Sequence, residues 1–78
     1  MRYFFHLREN HDYVVDEEGI ELADLDAVRI AATAAARSVI ASDAMTGKLP
    51  LRAVLEVNDG NGQRVLELPF RDTVLVDG

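Results

Sequence analysis

The chain has 78 residues, no Cys, and 14 acidic residues against 8 Lys and Arg, which gives a formal net charge of −6. This length allows one small domain, and the lack of Cys excludes disulfides and thiolate zinc sites. A surface this acidic repels phosphate backbones, so we expect the chain alone not to bind nucleic acid. No apolar run approaches the length of a membrane span or of a signal sequence, so we expect a cytoplasmic protein without membrane contact.

The first part of the sequence predicts two strands before a helix. Residues 2–8 alternate as a half-buried strand does. The side of this strand expected to face the core consists of Tyr3, Phe5 and Leu7. A short strand at 13–15 is predicted to pair back on it, and an acidic turn follows at 16–19. Ile20 and Leu22 then form an extended lead-in to the helix.

The longest periodic stretch predicts a single helix from Asp24 to about Thr46, with Asp24 as its N-cap and Gly47 just beyond its end. The expected core face is Leu25, Val28, Ala32, Ala35 and Val39, widened by Ala31, Ala36 and Ile40. A weaker apolar stripe on the opposite side consists of Ala27, Ile30, Ala34, Ala41 and Met45. Because Ala is a good exposed helix residue, the stripe is either ordinary surface or a contact surface for a partner.

Two more strands are predicted after the helix. The segment Asp59–Gly62 contains Asp-Gly and Asn-Gly, which both suit the positive-φ positions of a hairpin turn. Residues 52–58 and 64–70 alternate on either side of this turn, and Pro69 marks an edge strand or the end of pairing. The core residues expected from these strands are Ala53, Leu55, Val57, Leu66, Leu68 and Phe70. Residues 73–78 form a tail, in which the apolar run Val74–Val76 is either a short strand or disordered.

These elements predict an α+β fold in two layers, with a three- to four-stranded antiparallel sheet packed on one long helix in the order ββαββ. The domain is expected to span residues 1–72. The sheet face away from the helix, called the outer face below, mixes apolar and polar side chains: Phe4, His6, Val54, Glu56, Val65 and Glu67. This face and the helix stripe are the two candidate contact surfaces. The candidate interface residues are Phe4, His6, Val54, Val65, Ile30 and Met45.

Four features of the sequence resemble a family of small bacterial proteins that is classified only as a domain of unknown function. They are Arg2-Tyr3-Phe4-Phe5-His6, Asp16-Glu17-Glu18-Gly19-Ile20-Glu21-Leu22, the Ala-rich helix, and Leu68-Pro69-Phe70. The resemblance extends over nearly the whole chain and implies no established activity. The segment 9–13 departs from the Gly-containing turn of that family. The element order also resembles, more loosely, the partial ribonuclease-H-like domain of HicB-type antitoxins. This chain lacks the longer second strand and the Gly-Thr-containing lead-in of those antitoxins.

The sequence predicts no catalytic residue, cofactor or metal site. Ser38 and Ser42 lie on the predicted helix without a neighbouring base, and no phosphate-binding Gly loop is present. His6 and His11, with the nearby carboxylates, are the one group with metal-binding chemistry. The simpler interpretation makes His6 a sheet residue hydrogen-bonded to Glu56 or Glu67.

Besides a metal- or ligand-binding domain that uses His6 and His11, two hypotheses for function follow. The first is a small interaction or structural module that forms a homodimer through a sheet face, an edge strand or the helix, because a chain this short buries little core. The alternative is an antitoxin-like or adaptor protein that binds a basic protein partner. Its support is the net charge of −6 together with the looser resemblance.

Overall fold

The chain forms one long helix and an antiparallel sheet, which a computed structural model describes over residues 1–75 and 77. The elements are β1 (Arg2–Glu9), β2 (Asp12–Val14), β3 (Ile20–Glu21), α1 (Leu25–Ala44), β4 (Val54–Asn58), β5 (Arg64–Pro69) and a 3-10 helix (Phe70–Thr73). The predicted α+β class is confirmed. The sheet has five strands rather than three or four, because the lead-in at Ile20 pairs as β3.

β1 is the central strand of the sheet. One of its edges pairs with β4, and β5 follows β4 as the outermost strand. Its other edge pairs with β2, where Leu7 lies opposite Val14, and with β3, where Tyr3 lies opposite Ile20. The aromatic cluster at residues 3–5 therefore lies inside the sheet, where aromatic side chains pack well.

α1 packs on the sheet through residues spaced by four. Asp24 is its N-cap, as predicted, and accepts a hydrogen bond from the Ala27 N–H at 2.8 Å. The buried residues of α1 are Val28, Ala32, Ala36 and Ile40. Such a row is inclined to the helix axis, so the buried line winds around α1 as the helix crosses the sheet. The predicted core face is therefore wrong at Leu25, which is 55% exposed, and at Ala35, which is also exposed.

The core lies between α1 and the middle of the sheet. It combines the four buried helix residues with Tyr3, Ala53, Leu55, Val57 and Phe70. The 3-10 helix closes one side, because Arg37 Nε donates a hydrogen bond to the Thr73 carbonyl at 2.7 Å. Val74 also packs on the core, so the packed part of the chain continues past residue 72. The apolar run predicted at 74–76 includes Val76, which lies outside the described residues.

The turn between β4 and β5 is the predicted hairpin turn. Asp59 Oδ1 accepts hydrogen bonds from the N–H groups of Asn61 and Gln63 at 2.9 and 3.0 Å. Gly62 has a φ of 82°, the left-handed conformation that glycine adopts without strain.

β5 contains a bulge that the alternation of its residues does not predict. Val57 lies opposite Leu66 and Asn58 lies opposite Arg64, so Val65 is an extra residue in the ladder. Strict alternation would place Arg64 on the core side with Leu66. The bulge turns Arg64 to the outer face instead, where its Nε donates to the Asn58 side chain at 2.7 Å.

Candidate interaction surfaces

α1 covers only part of the sheet face on which it lies. Its main contacts are with β4, β5 and the 3-10 helix. Residues directly opposite each other on antiparallel strands point to the same face, so Val14 and Ile20 lie on the helix side together with Leu7 and Tyr3. Phe5 and Leu7 are half-buried there, whereas Val14 and Ile20 are 56% and 49% exposed. We call Phe5, Leu7, Val14 and Ile20 the open strip.

The chain that borders the open strip is acidic. Residues 9–28 contain eight of the 14 Asp and Glu residues and no Lys or Arg. Glu9 and Asp12 lie opposite each other and on the side of Leu7, so both carboxylates share the face of the strip. Val15 and Leu25, from the same stretch, are 53% and 55% exposed. The open strip is therefore an apolar surface with a border of carboxylates.

On the outer face, two arginines hold a buried carboxylate. Glu56 in β4 is 6% exposed and lies 2.8 Å from Arg8 Nε and 3.3 Å from Arg64 Nη2. The hydrogen bond from Arg8 is the main reason that the pKa of Glu56 lies below its usual value, although burial acts in the opposite direction. The Arg8 guanidinium also lies over the Tyr13 ring, 4.6 Å from its centroid. These contacts join β1, β2, β4 and β5 across the outer face.

The segment between β2 and β3, residues 15–19, forms an arch against β1. Asp16 accepts hydrogen bonds from the Phe5 N–H at 3.0 Å and from the Glu18 and Gly19 N–H groups, both at 3.1 Å. The Asp16 N–H donates to Nδ1 of His6 at 3.0 Å. The Asp16 carboxylate therefore replaces a strand carbonyl at the gap between β2 and β3.

The arch depends on the charge of Asp16 and on the absence of a side chain at Gly19. Burial alone would raise the pKa of Asp16, but the backbone hydrogen bonds from Phe5, Gly19 and Glu18 together bring this pKa below its usual value. Gly19 has a φ of 72°, and a Cβ at this position would lie 2.8 Å from the Tyr3 carbonyl oxygen. Only glycine fits this approach to β1.

A family match covers most of this structure. Residues 2–71 match the model of a domain of unknown function, DUF6894. The chain belongs to this family. The match confirms the predicted resemblance to a domain of unknown function that extends over nearly the whole chain. Comparisons with curated proteins and with solved structures gave no significant match.

The DUF6894 domain places the outer-face candidates in a partly covered surface. Phe4, Val54 and Val65 are half-buried, and His6 is only 8% exposed. The predicted hydrogen bond from His6 to a strand carboxylate, Glu56 or Glu67, is wrong: Nδ1 of His6 accepts its bond from the Asp16 backbone.

The helix candidates are exposed but far apart. Ile30 and Met45 are 72% and 87% exposed. They are separated along α1 by roughly 22 Å at 1.5 Å per residue. Ile30 lines a shallow groove together with Arg29, Thr33, Ala34 and Arg37. The helix therefore offers isolated apolar side chains rather than a continuous patch.

Both edges of the sheet oppose the addition of another strand. β5 carries the Val65 bulge at one end and Pro69 at the other. β2 and β3 have 3 and 2 residues, and the arch separates them. Short, bulged or Pro-containing edges are the devices by which proteins avoid edge pairing.

Within residues 1–75 and 77, no three His, Asp or Glu side chains are arranged so that they could hold a metal ion. His11 lies exposed in the β1–β2 turn, away from the buried His6. In the same described part of the chain, no helix has the length and apolar character that crossing a bilayer requires.

Sequence reasoning missed the open strip because it missed the pairing of β3. A two-residue strand carries no alternation from which its register could be predicted. The signal that was present is compositional: the acidic stretch 9–28 also contains five exposed large apolar residues. They are Tyr13, Val14, Val15, Ile20 and Leu25.

Proposed function

We propose that this DUF6894 domain is a small, non-catalytic interaction module of the bacterial cytoplasm that forms a homodimer through the open strip. The observation that carries the proposal is the exposure of Val14 and Ile20 beside half-buried Phe5 and Leu7 on one sheet face. Apolar side chains on the core face of a sheet are normally covered by a second layer.

The accessible surface of the chain supports this proposal. It measures 5472 Å², whereas a typical monomer of this mass exposes about 4,700 Å². The radius of gyration is 12.6 Å, against about 11.5 Å for a compact domain of this length. Exposed C-terminal residues such as Leu75 contribute to the difference. The extra surface is still comparable to the roughly 800 Å² that each partner buries in a standard interface.

The other surfaces are less suited to a homodimer. On the outer face, the charged side chains pair with one another and His6 is buried. Both sheet edges oppose strand addition, and Ile30 is an isolated apolar side chain on the helix. The open strip combines four apolar residues on adjacent strands, so it is the surface whose burial contributes most to association.

Sedimentation equilibrium from low to high micromolar concentration tests the proposal, with Val14→Glu and Ile30→Glu as a matched pair of variants. Both changes place a carboxylate on an exposed apolar site, and only Val14 belongs to the open strip. A dimer contains each substitution twice, so the loss of about 1 kcal/mol per side chain raises the Kd of the Val14→Glu dimer roughly 30-fold. Ile30→Glu is expected to dimerise as the wild type does.

Two results would overturn the proposal. One is a wild-type chain that remains a monomer throughout the concentration range. The other is a dimer that Ile30→Glu dissociates and Val14→Glu does not, since the contact would then lie on α1.

A further inference from the structure

The width of the open strip identifies the kind of element that fits it. Strands lie about 4.8 Å apart and a helix is roughly 10 Å wide, so one helix covers about two strands. α1 lies over β4 and β5 and the core beneath it includes Tyr3 of β1, whereas Phe5 and Leu7 of β1 are only half-buried and the β2–β3 edge is exposed on the same face. A second helix beside α1 would complete this layer.

The length of the strip is also that of a short helix. Val14 lies opposite Leu7 and Ile20 lies opposite Tyr3, so the two ends of the strip are four residues apart along β1. This distance is about 13 Å, or roughly nine helical residues. In the described part of the chain, α1 is the single α-helix, and it already packs on its own sheet. The described residues therefore do not themselves supply a second helix for this position.

The negative charge around the strip favours a helix with a positive charge. The stretch 9–28 contains eight carboxylates and no Lys or Arg. Glu21 pairs with Arg2 on the outer face and Asp16 is bonded within the arch, whereas Glu9 and Asp12 share the face of the strip. Two copies that meet through this surface bring like charges together, which weakens self-association. A helix with Lys or Arg around an apolar face would instead pair its cations with the border of the strip.

We infer that the open strip is a docking site for a cationic amphipathic helix of another protein, which displaces the weaker contact between two copies. This inference rests on the proposed role of the open strip and names its preferred partner. The apolar face of the helix covers Val14 and Ile20, and its cations lie near Glu9, Asp12 and the start of α1.

The test uses a fluorescent Leu/Lys peptide with an amphipathic helical pattern, titrated with the full chain and followed by anisotropy. One control peptide has the same composition in shuffled order, and a second replaces Lys by Glu. The amphipathic Leu/Lys peptide is expected to bind at least tenfold more tightly than either control. Binding by the shuffled peptide with equal affinity would reduce the interaction to charge alone and overturn the inference.

Two protein variants locate the site. Ile20→Lys is expected to weaken peptide binding at least tenfold, whereas Ile30→Lys, which adds the same charge on α1, is expected to change it less than threefold. Equal losses for the two variants would place the peptide elsewhere or on no defined site.

Ionic strength separates this inference from the homodimer. Peptide binding is expected to weaken as salt rises, because screening removes the attraction, while self-association is expected to strengthen. A monomeric chain that still binds the peptide through Ile20 would refute the homodimer and retain the docking site. A dimer that the peptide does not dissociate at any concentration tested would refute the docking site and retain the homodimer.

Discussion

Replacing Asp16 by Ala removes the carboxylate that holds the arch to β1. Its hydrogen bond with the partly buried Phe5 N–H is assisted by charge, and such bonds contribute about 1.5–3 kcal/mol. The more exposed bonds with Glu18 and Gly19 contribute about 0.5 kcal/mol each. We therefore expect a loss of about 3 kcal/mol, against a total stability of about 4–12 kcal/mol for a chain of this length.

Urea denaturation followed by circular dichroism measures this loss as a lower midpoint with an unchanged slope. Thermal unfolding is expected to shift down by roughly 15 °C. Glu17→Ala is the matched control, because Glu17 is an adjacent acidic residue on the exposed side of the arch, and its change is expected to stay within about 0.5 kcal/mol. If Asp16→Ala were no more destabilising than Glu17→Ala, the arch would not depend on the carboxylate and the reasoning would be wrong.

Three further predictions concern pH and the caps and turns. Folding lowers the pKa values of Glu56 and Asp16, so the two carboxylates stabilise the fold fully above the unfolded pKa of about 4, and this stabilisation is lost as pH falls through the folded pKa values. Urea midpoints measured from neutral to acidic pH should therefore decline in the wild type and decline less in Glu56→Gln. Gly19→Ala should lower the free energy of unfolding by more than about 2 kcal/mol, because it adds a backbone clash to a positive φ. Gly47→Ala, where the new Cβ meets open space, should lower it by about 1 kcal/mol. Equal urea midpoints for the two variants would contradict the close approach of the arch to β1. Asp24→Ala removes the N-cap of α1 and should lower the free energy of unfolding by about 1 kcal/mol in the same denaturation assay.

The parts of the fold that depend on neighbours in sequence could be predicted. The Asp59–Gly62 turn is specified by residues that accept positive φ and by a side chain that bonds its own loop. The cap at Asp24 and the core side of β4 likewise follow from local pattern. Each of these features is fixed by interactions within a few residues, so one sequence is enough to find them.

The parts that depend on the geometry between elements could not be predicted. The helix face is set by the angle at which α1 crosses the sheet, which turned Leu25 and Ala35 out of the core. The bulge at Val65 and the pairing of β3 decide which side chains share a face, and neither leaves a mark in the alternation. The open strip depends on the pairing of β2 and β3 with β1. The sequence predicts Phe5 and Leu7 as core, Val14 as part of a short strand and Ile20 as lead-in, and does not group them into one surface.

The position of β1 in the middle of the sheet has a consequence for how the protein is made. β1 ends at Glu9 and β4 begins at Val54, about 45 residues later. A chain grows from its N-terminus, and a lone two-stranded hairpin is at best marginally stable in water. The aromatic run Tyr3–Phe5 therefore lacks its main neighbour until β4 has left the ribosome. Folding of the sheet should therefore follow the synthesis of β4 and be limited by the non-local pairing of β1 with β4.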